Sequence, residues 1–127
     1  MTSERLARGR AVVDEMAPGA AAMIEAAYRD IAPEMAQWIL EFAFGDVASR
    51  NDLDREQRIV SNISALVALG NAEPQLLMQI RLGSSIGMSR STLKGAILNV
   101  APIAGLARTQ NALRCVADLL TKDEANP

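Results

Sequence analysis

The chain has 127 residues and a net charge of −2, and half of it is hydrophobic although only 3% is aromatic. That length suits one domain spanning 1–127, able to bury roughly two-thirds of its unfolded surface without a covalent staple. The mixed charge carries no nucleic-acid footprint, no apolar run approaches the ~18 residues of a membrane span, and the opening MTSERLARGR lacks the apolar region of a secretory signal.

Histidine is absent, and Cys115 is the sole cysteine. Proton transfer near neutrality must therefore come from a shifted carboxylate, Lys, Tyr or Cys, or from water. A Ser–His–acid triad, a Cys–His pair, a histidine-containing metal site and a CxxC centre are all excluded within one chain. No metal and no cofactor are expected. A lone thiol suits a reducing cytoplasm, and Cys115, flanked by apolar residues, reads as a small buried hydrophobe. Much of the apolar content is Ala and Met, and small side chains let helices approach closely. A small chain this apolar is expected to bury surface against copies of itself.

The periodicity is helical nearly throughout. A first helix is predicted over 5–16 and stops near Pro18 and Gly19. A second runs over 20–30, with Met23, Ile24, Ala27 and Ile31 at core spacing. Pro33 opens a third, which carries Met35, Trp38, Ile39, Phe42 and Phe44 and ends near Gly45. Residues 46–53 read as a loop. Asp54 caps a long helix that ends at Gly70, with Ile59, Ile63, Leu66, Val67 and Leu69 as its apolar positions. After a short turn, Pro74 starts a helix running to about residue 86, with Gly87 as its left-handed stop. Ser89 caps the next, over 93–104, which Pro102 kinks or terminates. A last helix covers 107–120, and the tail is frayed. The fold class is all-α, a single-domain bundle of about seven helices.

Several stretches stand out along this frame. In EFAFGDVASR (41–50), paired Phe residues surround a Gly–Asp turn, and Asp46 and Arg50 are placed to pair across it. LDREQRIV (53–60) is a capped helix start. EPQLLMQIRLGSSIGMS (73–89) and VAPIAGLARTQNALR (100–114) follow. Each is weak alone. In this order and spacing they resemble the carboxymuconolactone decarboxylase family, related to the alkylhydroperoxidase D-like proteins. The similarity runs over about 32–120 and rests on EFAFGDVASR, LD-x-x-x-R, ALG-x-x-EPQL and AG-x-x-x-x-x-NALR.

The resemblance implies a carboxymuconolactone decarboxylase-type helical fold, trimers or hexamers with sites near subunit interfaces, and cofactor-free lyase or isomerase chemistry on a small carboxylate or lactone. It also marks three departures. The family usually presents a histidine on the helix after EPQL, where this chain has Gln79. Ile59 stands where a carboxylate follows the Arg of LD-x-x-x-R. Ile103 stands where a Tyr often precedes Ala-Gly. Gln79 cannot titrate, but it both donates and accepts hydrogen bonds. It either orients a substrate carbonyl or carboxylate or is an ordinary polar residue on a half-exposed helix. Ile59 and Ile103 would dry the cavity, which suits loss of carbon dioxide. Arg108 either clamps a substrate carboxylate bidentately or sits at a surface or interface. Arg58 and Arg81, on helices lining the supposed site, either serve it or pair with Asp or Glu at subunit contacts. Glu41, if it faces a cavity, has its pKa raised by desolvation and becomes the best remaining acid. The competing expectation is a catalytically silent homologue that binds a small molecule or serves as an assembly subunit.

Overall fold

The computed structural model describes residues 3–121, and every regular element among them is helical. The chain forms two compact units that part between Leu53 and Asp54. Of the tail expected to fray from residue 121, Thr121 closes the last helix and its hydroxyl donates to the Ala117 carbonyl at 2.8 Å, while the rest lies outside the described residues.

The first unit holds α1 (Glu4–Met16), α2 (Ala20–Tyr28), α3 (Pro33–Trp38) and a π-helical continuation, π1 (Ile39–Val47). Ser3 caps α1 by accepting from the Leu6 amide at 3.0 Å. Gly19, at φ +84, turns the chain into α2. α1 packs on π1 through two glycines. The Gly9 backbone lies against the Leu40 carbonyl and the Gly45 amide, two groups five residues apart on π1. A Cβ on Gly45 would in turn strike the Arg5 carbonyl. Only residues without side chains allow this approach. The wider π turn runs two residues past the predicted helix end at Gly45, into the stretch read as loop, and Ala48 closes it with a bond from its amide to the Ala43 carbonyl at 2.9 Å.

The core of this unit corrects the sequence reading of α2 and α3. The buried apolar residues are Val13, Met16, Ala21, Ala36, Leu40 and Phe44. Met23 and Ile31, expected in the core, are 73% and 82% exposed, and Trp38 and Phe42 are 61% and 62% exposed. Ala27, also expected in the core, is exposed and Ile24 is half-buried, so in α2 and α3 only Ala21 and Ala36 are buried. The Gly45–Asp46 corner also pairs differently from expectation. Arg5 grips Asp46 through two nitrogens at 2.7–3.1 Å, and Arg8 joins at 3.4 Å. Arg50 turns to Asp52 instead, at 2.7 Å.

The second unit holds α4 (Arg55–Leu69), α5 (Glu73–Ser85), α6 (Arg90–Leu98), α7 (Ala101–Ala104) and α8 (Leu106–Thr121). Asp54 and Gln57 form a reciprocal capping box at the start of α4, with bonds of 2.8 and 2.9 Å. Gly70 at φ +73 ends α4, and Gly87 at φ +91 follows α5. Ser89 caps α6 through the Thr92 amide. The expected helix over 93–104 breaks into α6 and α7. Pro102 has no N–H to offer the Leu98 carbonyl and its ring would clash there, so α6 ends at Leu98 and Pro102 sits in the first turn of α7. The core is built on Ile59, Ile63 and Val67 of α4, Leu76 and Ile80 of α5, Leu93 and Ile97 of α6, and Ala112 and Val116 of α8. The Ser64 hydroxyl donates to the Ala96 carbonyl at 2.8 Å and ties α4 to α6. Among the described residues, no helix is long and apolar enough to cross a membrane.

Candidate active site

Within the second unit, α4 and α5 run side by side and bring Asn62 opposite Gln79. The Asn62 Nδ2 donates to Gln79 Oε1 at 3.2 Å. Gln79 is half-buried, one residue before the core residue Ile80, so its amide sits at the rim of the α4–α5 contact. Arg58 lies one turn before Asn62 on α4 and is half-buried. Ile59 points the other way. It is 1% exposed, and its Cγ2 would lie 3.3 Å from a Cβ built on Gly83. Ile59 is thus a core residue that seats α5 on α4. Ile103, on the four-residue α7, is 85% exposed, so in the single chain it dries nothing.

Arg108 is exposed on α8 and lies over the end of α4, where its Nε would stand 2.9 Å from any Cβ on Gly70. It helps enclose a cavity of about 30 Å³ with Asn71, Glu73, Leu76 and Asn111. That is room for a water molecule or two, not for an organic acid. Gln79 does not line this space. Arg81, Ser84 and Ser85 are exposed on α5. Cys115 is half-buried, its thiol directed at the Glu73 carbonyl at 3.9 Å. Burial, and then the Glu73 charge, push its pKa up. The thiolate is therefore disfavoured, opposite to a nucleophilic cysteine.

Glu41 belongs to the first unit, on π1. It is buried, at 8% exposure, yet its chemistry differs from that expected of a desolvated acid. The Ser3 hydroxyl donates to its Oε2 at 2.8 Å, and Arg5 lies 3.8 Å from the same oxygen. The Ser3 bond, then a bond from Gln37, hold the carboxyl below its usual range; burial opposes them and Arg5 adds to the lowering. Glu41 is a carboxylate at neutral pH and not a raised-pKa acid. Its visible task is to join the start of α1 to π1. Sequence reasoning missed both Ser3 and Asn62. Ser3 heads a cap pattern readable from the residues after it, whereas nothing local links Asn62 to a partner in another helix.

The helical architecture of the described residues agrees with the likeness read from the sequence. Comparison with known proteins bears on that likeness directly. The sequence profile of the Carboxymuconolactone decarboxylase family matches residues 33–118. A 4-carboxymuconolactone decarboxylase from Acinetobacter baylyi is 35% identical over 94 residues, covering 74% of this chain and 69% of that protein. The chain belongs to the carboxymuconolactone decarboxylase family. Among the described residues, no three His, Cys, Asp or Glu side chains gather as metal ligands would.

Proposed function

We propose that this protein is a cofactor-free lyase acting on a small carboxylated lactone, with Gln79 as the hydrogen-bond donor to the substrate. The observation that carries this reading is the half-buried Gln79 amide on α5, inside the span shared with the decarboxylase relative. In the proposed step, the bond from the substrate carbon to its carboxylate breaks and carbon dioxide leaves. The electron pair moves into the conjugated lactone, placing charge on the ring carbonyl oxygen. An N–H of Gln79 stabilises that charge as it develops, and Arg58 or Arg108 holds a carboxylate. The proton that replaces carbon dioxide comes from water, since Glu41 is ionised.

The site is completed in a homo-oligomer, a trimer or hexamer in our reading. Exposed Trp38, Phe42, Ile103 and Leu106 support self-association, being large apolar side chains left on the surface of the single chain. Sedimentation analysis tests this: a monomer at micromolar concentration overturns it.

A second reading is a silent homologue that binds a ligand or builds an assembly. It is favoured by the side chain at position 79, an amide that cannot titrate. Carbon dioxide release from 4-carboxymuconolactone decides between them, measured on wild type and Gln79→His together. Turnover by wild type supports the lyase. Activity in Gln79→His alone supports the silent scaffold, and inertness of both removes the family reaction.

A further inference from the structure

We infer that Asn62 is a positioning residue that orients the Gln79 amide with its NH₂ turned away from α4, favouring ligands that present a carboxylate or carbonyl oxygen over ligands that present a hydroxyl proton. The inference rests on the reading of Gln79 as a substrate contact and adds the group that sets its polarity. A free glutamine amide is ambivalent. It flips about its last torsion and offers either an oxygen or an NH₂. Here one lone pair of the oxygen is engaged. Asn62 Nδ2 donates to Gln79 Oε1 at 3.2 Å across the α4–α5 seam. With Oε1 turned toward α4, Gln79 presents its two Nε2 protons on the side away from Asn62. The half-buried stem of Gln79 limits how far the side chain can swing away. The Asn62 backbone is held in place, because its helical neighbours Ile59 and Ile63, on the adjoining core-facing side of α4, are 1% and 0% exposed.

The pair also explains why an amide serves where a titrating group is absent. The donor count at Gln79 does not change with pH, so the contact keeps its polarity across the whole range in which the fold stands. A carboxylate or a lactone carbonyl meets two N–H groups there. A hydroxyl that must donate finds Oε1 facing Asn62 and shares it with the Asn62 N–H, a poorer match than the free Nε2 protons offer a carboxylate.

Asn62→Asp tests this with almost no change of shape. The carboxylate it introduces accepts only, so Gln79 must rotate its NH₂ inward and present Oε1 outward. Asn62→Leu is the second variant, removing the bond without adding charge. The probes are a butenolide bearing an acetate side chain and the same butenolide with a hydroxyethyl group in its place. Binding is followed through the Gln79 side-chain amide signals of the ¹⁵N,¹³C-labelled full chain. For wild type, the acetate probe is expected to shift the Gln79 Nε2 protons and to bind more tightly than the hydroxyethyl probe. In Asn62→Asp, affinity for the acetate probe falls about tenfold or more, as for loss of one bond to a charged group, and the preference between probes narrows or inverts. In Asn62→Leu without ligand, the Gln79 carbonyl ¹³C signal moves while backbone signals along α5 hold. An unmoved carbonyl in Asn62→Leu, or equal probe preference in wild type and Asn62→Asp, overturns the positioning role while leaving Gln79 as a contact. If the carbonyl moves as expected but neither probe disturbs Gln79 in wild type, the ligand selection proposed here is overturned together with the substrate reading of Gln79.

Discussion

Replacing Gly9 by alanine sets two effects of known sign against each other. In an open helix the change stabilises by about 1 kcal/mol, because alanine gives up less backbone freedom on folding. Gly9 lies in the middle of α1, so that gain is available. Against it stands the backbone of π1. A Cβ on Gly9 would collide with the Leu40 carbonyl oxygen, and it would lie 2.7 Å from the Leu40 carbonyl carbon and 3.1 Å from the Gly45 nitrogen. These are backbone atoms, not the free end of a side chain, so the overlap is relieved only by parting α1 from π1 around buried Val13, Leu40 and Phe44. Forced overpacking costs about 1–3 kcal/mol, and a clash with fixed backbone belongs at the upper end. Setting about 3 against about 1 leaves a loss of about 2 kcal/mol, or a fall in Tm of roughly 6–8 °C for a chain of this length. Urea unfolding followed by the fluorescence of Trp38, the single tryptophan and a first-unit residue, reads the effect where it arises. Gly95→Ala is the control. It lies within α6 with nothing within 4 Å of a built Cβ, so it should gain up to about 1 kcal/mol, seen by circular dichroism. A Gly9→Ala protein with a midpoint at or above wild type would refute the close approach of the two backbones.

Three further outcomes are expected. Ile59→Ala should cost about 2–4 kcal/mol in chemical denaturation, as a fully buried core truncation, and Ile59→Val about 1 kcal/mol with ligand affinity unchanged; a selective loss of ligand affinity in Ile59→Val would instead make it a substrate contact. Asp54→Ala removes half of a capping box and should cost about 1 kcal/mol, measured by urea midpoint. For pH, the sign follows from lowered folded-state values. Arg5, aided by Arg8, holds the Asp46 carboxyl down, and Ser3, Gln37 and Arg5 do so for Glu41. Both groups thus stabilise the fold at neutral pH, and that contribution is lost as pH falls through the ordinary carboxylate range and below, where the unfolded chain takes up protons first. Urea midpoints measured between about pH 6 and pH 3 should fall less steeply in Asp46→Asn than in wild type; parallel slopes would remove the Arg5–Asp46 pair from the account.

What the residues determined by themselves is local punctuation and family. Asp54 and Ser89 start helices, Pro33 and Pro74 sit in first turns, and Gly70 and Gly87 adopt positive φ, as their types and spacings require. The Ile59, Ile63, Val67 stripe was legible because one strongly periodic helix presents one apolar face. Family membership was legible from four weak motifs in a fixed order, now matched over residues 33–118. Tertiary structure decided the rest. In α2 apolar residues fall all round the helix, so periodicity could not single out the buried position; packing in the first unit buries Ala21 and Ala36 and leaves Met23 and Trp38 outside. The π turn, the partners of Asp46 and the ionisation of Glu41 all follow from α1 lying on π1, a contact between residues about forty apart that no local rule encodes. The Asn62–Gln79 bond joins two helices in the same way. Caps and breakers act within a turn of the chain, whereas the partner of an exposed or half-buried polar group depends on which helix is laid beside it.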